Sequence, residues 1–167
     1  YYVPLLEPFL KGKVPELLNR LLKDEDCIIA PSKKISEYLI KNGYKKPVRI
    51  IPNGIDLSNF YERNEDILRK SKELRARFGI EPDNDLIVFV GRLATEKNVS
   101  TLLLNFKEIV KADPKARLMI VGDGPDRREL EAFAYELGVS KETVFTGYLR
   151  WPEEIKIVYA AADLFMS

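Results

Sequence analysis

Segments with strand patterns alternate with segments of helical pattern along most of the chain, and this alternation constrains the fold more than any other sequence feature. Short apolar runs followed by turn-forming residues predict strands at residues 86–90, 118–121, 144–146 and 164–166. One apolar stripe with helical spacing lies in each interval between them. Strands that alternate with helices form parallel sheets with right-handed crossovers. The sequence therefore predicts an α/β fold with a doubly wound, Rossmann-like parallel sheet.

The ends of the predicted helices are marked by residues that favour such positions. Asn64 and Asn98 are candidate N-caps, and Pro125 and Pro152 suit first helical positions. Gly138 suits the position that follows a helix end. The helix predicted over residues 64–78 should bury its apolar residues, which are Ile67, Leu68, Leu74 and Phe78.

The same alternation continues with shorter elements in the first third of the chain, where strands are predicted at residues 27–30 and 48–51. Three turn formers in succession, Pro-Asn-Gly at residues 52–54, then break the pattern. We therefore place a domain boundary there. The predicted division is residues 1–52, a linker at residues 53–60, and a second domain at residues 61–167.

Composition excludes several functional classes. The 167 residues are 46% hydrophobic and 32% charged with a net charge of +1, as in a globular protein. The absence of histidine excludes Ser-His-Asp, Cys-His and histidine-metal sites within this chain. Cys27 is the only cysteine, which excludes an internal disulfide, and its apolar neighbours predict a buried strand thiol. The second domain lacks a basic face with interleaved aromatic residues, so nucleic acid is not expected as a partner.

The charge is unevenly distributed, because residues 1–50 are basic and the rest of the chain is slightly acidic. A basic segment suits peripheral contact with anionic lipid or phosphate, although most basic side chains only cover a solvated surface. No apolar run approaches the length of a membrane span, and no leader-like segment opens the chain. We expect a cytoplasmic location, with contact at the inner membrane face as the alternative. The first residue is Tyr1 and Ser167 follows an apolar run, so we expect a piece of a longer protein.

The loop at residues 91–98 is the first candidate site, because ligands of open parallel sheets bind beyond the carboxyl ends of strands. This loop carries Arg92 and Lys97 at the start of a predicted helix. A helix N-terminus favours an anion, an arginine can hold two phosphate oxygens, and a lysine acts as a point charge. These residues predict a diphosphate clamp, and an ordinary pair of surface cations is the alternative.

The next two loops are weaker candidates. Gly122 and Gly124 follow the second strand of the domain and allow either a tight turn or close approach to a ligand. They do not complete a dinucleotide-binding fingerprint because Arg127 stands where its third glycine would be, which argues against a nicotinamide-dependent dehydrogenase. The loop at residues 147–152 could frame a flat base, with a packed connection as the alternative.

Five ordered motifs together resemble those of the family-4 glycosyltransferases of the GT-B fold. They are Ile-Pro-Asn-Gly-Ile-Asp at 51–56, Phe-Val-Gly-Arg at 89–92 with Glu-Lys-Asn at 96–98, Ile-Val-Gly-Asp-Gly-Pro at 120–125, Val-Phe-Thr-Gly at 144–147, and Ala-Asp-Leu-Phe at 162–165. The likeness covers about residues 27–167. A finer resemblance, to bacterial diacylglycerol glucosyltransferases, rests on Pro-Ser-Lys-Lys at 31–34, Lys-Pro at 46–47 and the motif at 96–98.

The resemblance implies two Rossmann-like domains facing a cleft, of which the C-terminal one binds the nucleotide sugar. Arg92 and Lys97 match the pair that neutralises the leaving diphosphate, and they would be the catalytic residues. Tyr148 and Leu149 match the stretch that contacts the base. The donor-binding residues implied in this way are Gly91, Arg92, Lys97, Gly122, Gly124, Tyr148 and Leu149.

The same resemblance implies transfer of a sugar, with retention of configuration, from UDP-glucose or a similar donor to a lipid or saccharide acceptor. Neither a metal nor another cofactor is implied. Residues 1–52 would be the end of the acceptor-binding domain, and residues 61–167 a truncated donor domain. The family's paired glutamates and its acceptor-domain histidine have no counterpart in this sequence, so we expect the chain as written to transfer no sugar. A non-catalytic nucleotide-sugar-binding or partner module of the same fold is the alternative.

Overall fold

The computed structural model describes residues 14–54, 56 and 64–167. The chain forms two compact units, Tyr1–Asp56 and Leu57–Ser167. The division between them falls inside the linker that the sequence predicts, although residues 55 and 57–60 of that linker lie outside the described residues. The assignment of an acceptor-binding and a donor-binding role to the two units stays a prediction.

The first unit contains a small parallel sheet. Its elements are α1 (Val14–Leu21), β1 (Ile28–Ala30), α2 (Lys33–Lys41) and β2 (Val48–Ile50). The two strands pair in parallel with Ile28 opposite Val48. The hydroxyl of Ser32 caps α2 by accepting the backbone N–H of Ile35 at 3.3 Å. The helix ends at Asn42, and Gly43 follows with a φ of +83°.

Cys27 is exposed and precedes β1, so the expectation of a buried strand thiol was wrong. Pairing starts one residue later, where the N–H of Ile28 donates to the carbonyl of Pro47 at 3.0 Å. The thiol itself contacts the carbonyl of Ile28 at 3.7 Å. The first residue of this apolar run thus lies outside the paired strand, and its side chain is not buried.

The second unit is the doubly wound domain that the alternation predicts. Its elements are α3 (Glu65–Arg77), β3 (Asp85–Val90), a 3-10 turn (Thr95–Lys97), α4 (Val99–Ala112), β4 (Ala116–Val121), α5 (Arg127–Glu136), β5 (Thr143–Gly147), α6 (Glu153–Ala161) and β6 (Leu164–Phe165). The described strands of this second unit form one sheet in the order β5-β4-β3-β6, and every pair is parallel. The predicted parallel sheet is thus confirmed, with each boundary within two residues of the expected one.

Both faces of this sheet are covered, which explains why its strands are apolar at consecutive positions. Side chains of β3 alternate between the faces: Ile87 and Phe89 belong to one buried cluster, whereas Leu86 and Val88 belong to the other. The first cluster includes residues of α4 and α5, and the second includes residues of α6. Phe106 on α4 is fully buried.

The order of the strands determines where a ligand can reach the sheet. The chain moves from β3 to β4 and β5 on one side, and then returns to place β6 on the other side of β3. The strand order therefore reverses at β3. In open α/β sheets this reversal creates a crevice at the carboxyl ends of the strands.

Several helix boundaries follow the sequence prediction and others do not. Asn64 caps α3 by accepting the N–H of Ile67 at 2.9 Å, and Gly138 follows α5 with a φ of +75°. The prediction that Pro125 and Pro152 occupy first helical positions was wrong. Helix α5 begins at Arg127, after the N-cap Asp126, and α6 begins directly after Pro152, which is itself the N-cap and follows a cis peptide bond.

Two more expectations about helices need correction. Asn98 does occupy the N-cap position of α4, but it is left-handed with a φ of +50°, and its side chain accepts the hydroxyl of Thr101 at 2.9 Å rather than a backbone N–H. Leu68 was expected inside α3 and is 42% exposed. The buried stripe of this helix instead passes through Ile67 and Ser71, four positions apart on one face.

Two carboxylates at the start of β3 should have opposite effects on stability. Asp113 hydrogen-bonds Asp85 and repels its charge, which raises the pKa of Asp85. A raised carboxyl pKa means that the folded state binds the proton more tightly than the unfolded chain. The ionised group therefore costs stability in full above the folded pKa, and this cost decreases as the pH falls and is absent below the unfolded pKa. We expect Asp85→Asn to raise the Tm at pH 7 and to have little effect once acid protonates Asp85.

Asp83→Asn is the matched control. Lys115 lies 3.0 Å from Asp83 and lowers the pKa of that carboxyl. A lowered pKa gives stability that is present above the unfolded pKa and is lost as the pH falls through the folded pKa. Asp83→Asn should therefore lower the Tm at pH 7. Thermal denaturation at neutral and acid pH measures the Tm of both variants. A fall in Tm at pH 7 for Asp85→Asn would contradict the conclusion that the ionised Asp85 destabilises the fold.

Candidate functional site

Three loops that follow β3, β4 and β5 meet at the carboxyl edge of the sheet. Backbone hydrogen bonds join the first two loops: the N–H of Leu93 donates to the carbonyl of Asp123 at 3.0 Å, and the N–H of Asp126 donates to the carbonyl of Leu93 at 3.1 Å. The N–H of Gly122 donates to the carbonyl of Gly147 at 2.9 Å and joins the third. The loops therefore form one surface.

Glycines at two positions allow the first two loops to come this close. A Cβ at Gly122, whose φ is +131°, would lie 1.9 Å from the carbonyl oxygen of Gly91. A Cβ at Gly124 would lie 2.1 Å from the carbonyl oxygen of Leu93. Real Cβ atoms do not approach an oxygen so closely, so only glycine permits this packing. Both glycines have a structural reason to be present, and their contact with a ligand stays a prediction.

The three loops line a cleft of about 300 Å³. Five of the predicted donor-binding residues line it, namely Gly91, Arg92, Gly122, Tyr148 and Leu149. Its other lining residues are Val90, Val121, Asp123, Trp151 and Ile155. Lys97 and Gly124 are not among the lining residues, although both belong to the loops that form the cleft. The structure thus brings most of the sequence-predicted site together at one place.

Arg92 and Lys97 are both exposed residues of the loop that follows β3. Arg92 is the second residue after the strand, and Lys97 ends the short 3-10 turn Thr95–Lys97. The hydroxyl of Thr95 donates to the carboxylate of Asp126 at 3.0 Å and ties this turn to the start of α5. The loop that carries the two cations is therefore held in position at the edge of the cleft.

The loop after β5 contributes one buried apolar residue and two exposed aromatic residues to the lining of the cleft. Leu149 is 8% exposed and packs with Ile155 in the buried cluster, so its side chain forms a fixed apolar wall. Tyr148 is 74% exposed. Trp151 belongs to the loop that was expected to frame a flat base but was not among the predicted donor-binding residues; it also lines the cleft and is 51% exposed. A large aromatic residue in a loop after a parallel strand was the signal that could have identified it.

Asp123 and Arg127 form a second feature that sequence reasoning missed. Asp123 accepts the N–H of Gly124 at 2.8 Å and the guanidinium of Arg127 at 3.1 Å. These two contacts lower the pKa of Asp123, with the backbone N–H as the larger cause. Arg127 also donates to Glu131 at 2.8 Å. The spacing of Arg127 and Glu131, one helical turn apart, was the available signal.

Within residues 14–54, 56 and 64–167, no group of three His, Cys, Asp or Glu side chains is arranged to hold a metal ion. The absence of a metal and of other cofactors stays a prediction. Over the same part of the chain, no helix combines the length and the apolar character that crossing a membrane requires.

Comparison with known proteins identifies the family. Residues 70–167 match the family described as glycosyl transferases group 1, and residues 1–59 match glycosyltransferase family 4. The chain is 34% identical over 154 residues to the alpha-monoglucosyldiacylglycerol synthase of Streptococcus pneumoniae, covering 92% of this chain and 34% of that protein. It is 30% identical over 166 residues to the synthase of the same name from Acholeplasma laidlawii, covering 99% of this chain and 40% of that protein.

A solved structure shares the fold. The crystal structure of Anabaena HepE in complex with UDP and glucose matches with a TM-score of 0.76 and 20% sequence identity, over 92% of this chain and 41% of that one. The present chain spans 34% and 40% of the length of the two synthases. The family-model matches, the synthase identities and the shared fold show that this chain belongs to the glycosyltransferases of the GT-B type, in group 1 and family 4.

Proposed function

We propose that this chain is the diphosphate-binding part of a hexosyltransferase. The enzyme would transfer a sugar from UDP-glucose or a similar nucleotide sugar to a lipid or saccharide acceptor, with retention of configuration. One observation carries the proposal: the loops after β3, β4 and β5 line a cleft at the carboxyl edge of the sheet, and Arg92 lies in its wall. An arginine there suits a diphosphate because its guanidinium can hold two phosphate oxygens at once.

The proposed catalytic role of Arg92 and Lys97 is electrostatic. Negative charge grows on the β-phosphate as the bond between the sugar and the diphosphate breaks. A cation already in place stabilises this charge more than it stabilises the ground state, and removing one such contact typically costs ~3 kcal/mol of transition-state stabilisation. Lys97 would add a second positive charge from the same loop. Departure of the nucleoside diphosphate would be accelerated in this way.

The carboxylate of Asp123 does not oppose this role. It lines the same cleft, where a free negative charge would repel a diphosphate. Its two oxygens are held by the N–H of Gly124 at 2.8 Å and by Arg127 at 3.1 Å. The charge is therefore compensated by groups of its own loop and helix.

The relatives support a sugar donor and a lipid acceptor. Both synthases named above are described as alpha-monoglucosyldiacylglycerol synthases, and the crystal structure of HepE contains UDP and glucose. A lipid acceptor would bring the protein to a membrane surface. The basic residues of the first unit suit peripheral contact with its inner, cytoplasmic face. They include Lys33, whose side chain is 83% exposed.

Calorimetric titration of the unaltered chain with UDP, GDP and UDP-glucose tests the proposal. We expect UDP and UDP-glucose to bind, GDP to bind more weakly, and a metal chelator to leave the affinity for UDP unchanged. Inorganic phosphate at equal concentration is the control for general attraction of anions. If none of the three nucleotides binds more tightly than phosphate does, the proposed function is wrong.

A further inference from the structure

Arg127 lies where the first turn of α5 meets the end of β5. Its side chain is 31% exposed. The guanidinium contacts three acceptors, each on a different element: the carboxylate of Asp123 in the loop after β4 at 3.1 Å, the carboxylate of Glu131 on α5 at 2.8 Å, and the carbonyl of Phe145 on β5 at 3.5 Å. A fixed planar fork of this kind orients all its partners at once.

The end of β5 is the part of the site that most needs such support. Pairing between β4 and β5 is regular up to Ile120 and Phe145, after which Val121 pairs with Gly147, so that Thr146 is an extra residue. A bulge of this type disrupts the ladder and redirects the chain that follows. The residues that follow here include Tyr148, Leu149 and Trp151, which line the cleft.

Gly147 shows how closely Arg127 packs against this bulge. A Cβ at Gly147 would lie 3.0 Å from Nη1 of Arg127, and the φ of Gly147 is +74°. The guanidinium therefore lies beside the last residue of β5, and it donates to the carbonyl two residues earlier. Arg127 supplies a contact at the place where the ladder is irregular.

The loop after β3 has no comparable dependence on Arg127. It is joined to the loop after β4 by the backbone bonds of Leu93 with Asp123 and Asp126, and by the hydroxyl of Thr95 on Asp126. None of these bonds involves the side chain of Arg127. Loss of the guanidinium should loosen the wall formed by Tyr148 and Trp151 and leave the loop that carries Arg92 in position.

We propose that Arg127 is a positioning residue for the nucleobase: it holds the bulged end of β5 and thereby sets the aromatic wall of the cleft, without touching the ligand. The inference rests on the proposed function and assigns a role that the donor-binding residues above do not include. It predicts that the base side and the diphosphate side of the site respond differently to the same substitution.

The test compares UDP with inorganic pyrophosphate as ligands of the 167-residue chain. We expect Arg127→Ala to weaken UDP binding about tenfold more than pyrophosphate binding, which corresponds to about 1.4 kcal/mol. Both ligands meet the Asp123 carboxylate that loses its partner, whereas only UDP meets the wall formed by Tyr148 and Trp151. Arg127→Lys keeps the charge but reaches fewer acceptors. Its affinity for UDP should therefore lie between those of the unaltered chain and of Arg127→Ala. Arg128→Ala removes an exposed arginine of the same helix and should change neither affinity.

A second readout needs no nucleotide. Trp151 is the only tryptophan, so the intrinsic fluorescence of the chain reports on the wall of the cleft. We expect Arg127→Ala to shift the emission of Trp151 and to increase its quenching by iodide, and Arg127→Lys to reverse much of both changes. If the unaltered chain binds no UDP, the proposed function fails, and the fluorescence result still decides whether Arg127 positions the wall.

Two results would overturn the inference. One is unchanged emission in Arg127→Ala. The other is an equal loss of affinity for UDP and pyrophosphate that Arg127→Lys does not restore, because this would show a general loss of structure. Circular dichroism of both variants identifies such a loss, and Arg127→Lys keeps the test available if Arg127→Ala does not fold.

Discussion

Gly122→Ala should lower the Tm of the chain by about 10 °C, corresponding to about 3 kcal/mol of unfolding free energy, and should abolish nucleotide binding. A Cβ at this position would lie 1.9 Å from the carbonyl oxygen of Gly91, and the φ of +131° is itself strained for any residue with a side chain. Because the obstructing atom belongs to the backbone, no rotation of a side chain can relieve the clash. The loops after β3 and β4 must separate.

Gly138→Ala is the control that isolates the effect of the close contact. Gly138 also has a positive φ, of +75°, but nothing lies within 4 Å of its Cβ position. Its substitution should cost only about 1 kcal/mol of strain, at the end of α5 remote from the cleft, and should leave UDP binding unchanged. Thermal denaturation and calorimetry measure both variants. Equal behaviour of Gly122→Ala and Gly138→Ala would show that the contact between the loops does not shape the site.

The regular elements of the second unit could be predicted from the sequence because their signals are local. Leu86 to Val90 form an apolar run, and Val99, Leu103 and Phe106 repeat with helical spacing. A strand buried on both faces and a helix buried along one stripe leave these patterns in any context. The parallel sheet, and the expectation of a site at its carboxyl edge, follow from their alternation.

Features that depend on contacts between distant residues could not be predicted in the same way. The sequence around Gly122 and Gly124 permits a tight turn or a ligand contact, and only the fold shows that their missing side chains make room for the backbone of another loop. Cys27 lies in an apolar run and is nevertheless exposed, and strand pairing begins only at the next residue. Local pattern does not report where a ladder starts.

The contacts of Arg127, beside the cleft, also depend on residues that are distant in the sequence. Its sequence neighbourhood indicates only a helix with a charge pair one turn along, at Glu131. Its contact with Phe145 joins residues from different elements, and the bulge that makes this contact important appears only in the register of β4 and β5. Residues that position a site through others are therefore harder to predict than residues that point into it.

Arg92→Ala should have the largest effect on ligand binding of any substitution that leaves the fold intact. Arg92 is exposed on the wall of the cleft, so its removal creates no cavity in the core. Charge-assisted hydrogen bonds are worth about 1.5–3 kcal/mol each, which corresponds to a loss of affinity of roughly ten- to more than a hundredfold. Lys97→Ala should cause a smaller loss, because an ammonium group binds phosphate only as a point charge.

The affinity of the unaltered chain and of Arg92→Ala for UDP, measured by calorimetry at one ionic strength, tests most directly whether the cleft binds a nucleoside diphosphate through this residue. Arg128→Ala is the matched control, since it removes the same charge from an exposed position outside the lining of the cleft. We predict at least a tenfold loss for Arg92→Ala and none for Arg128→Ala. Equal affinity of all three proteins for UDP would contradict the claim that the cleft binds a nucleoside diphosphate through Arg92.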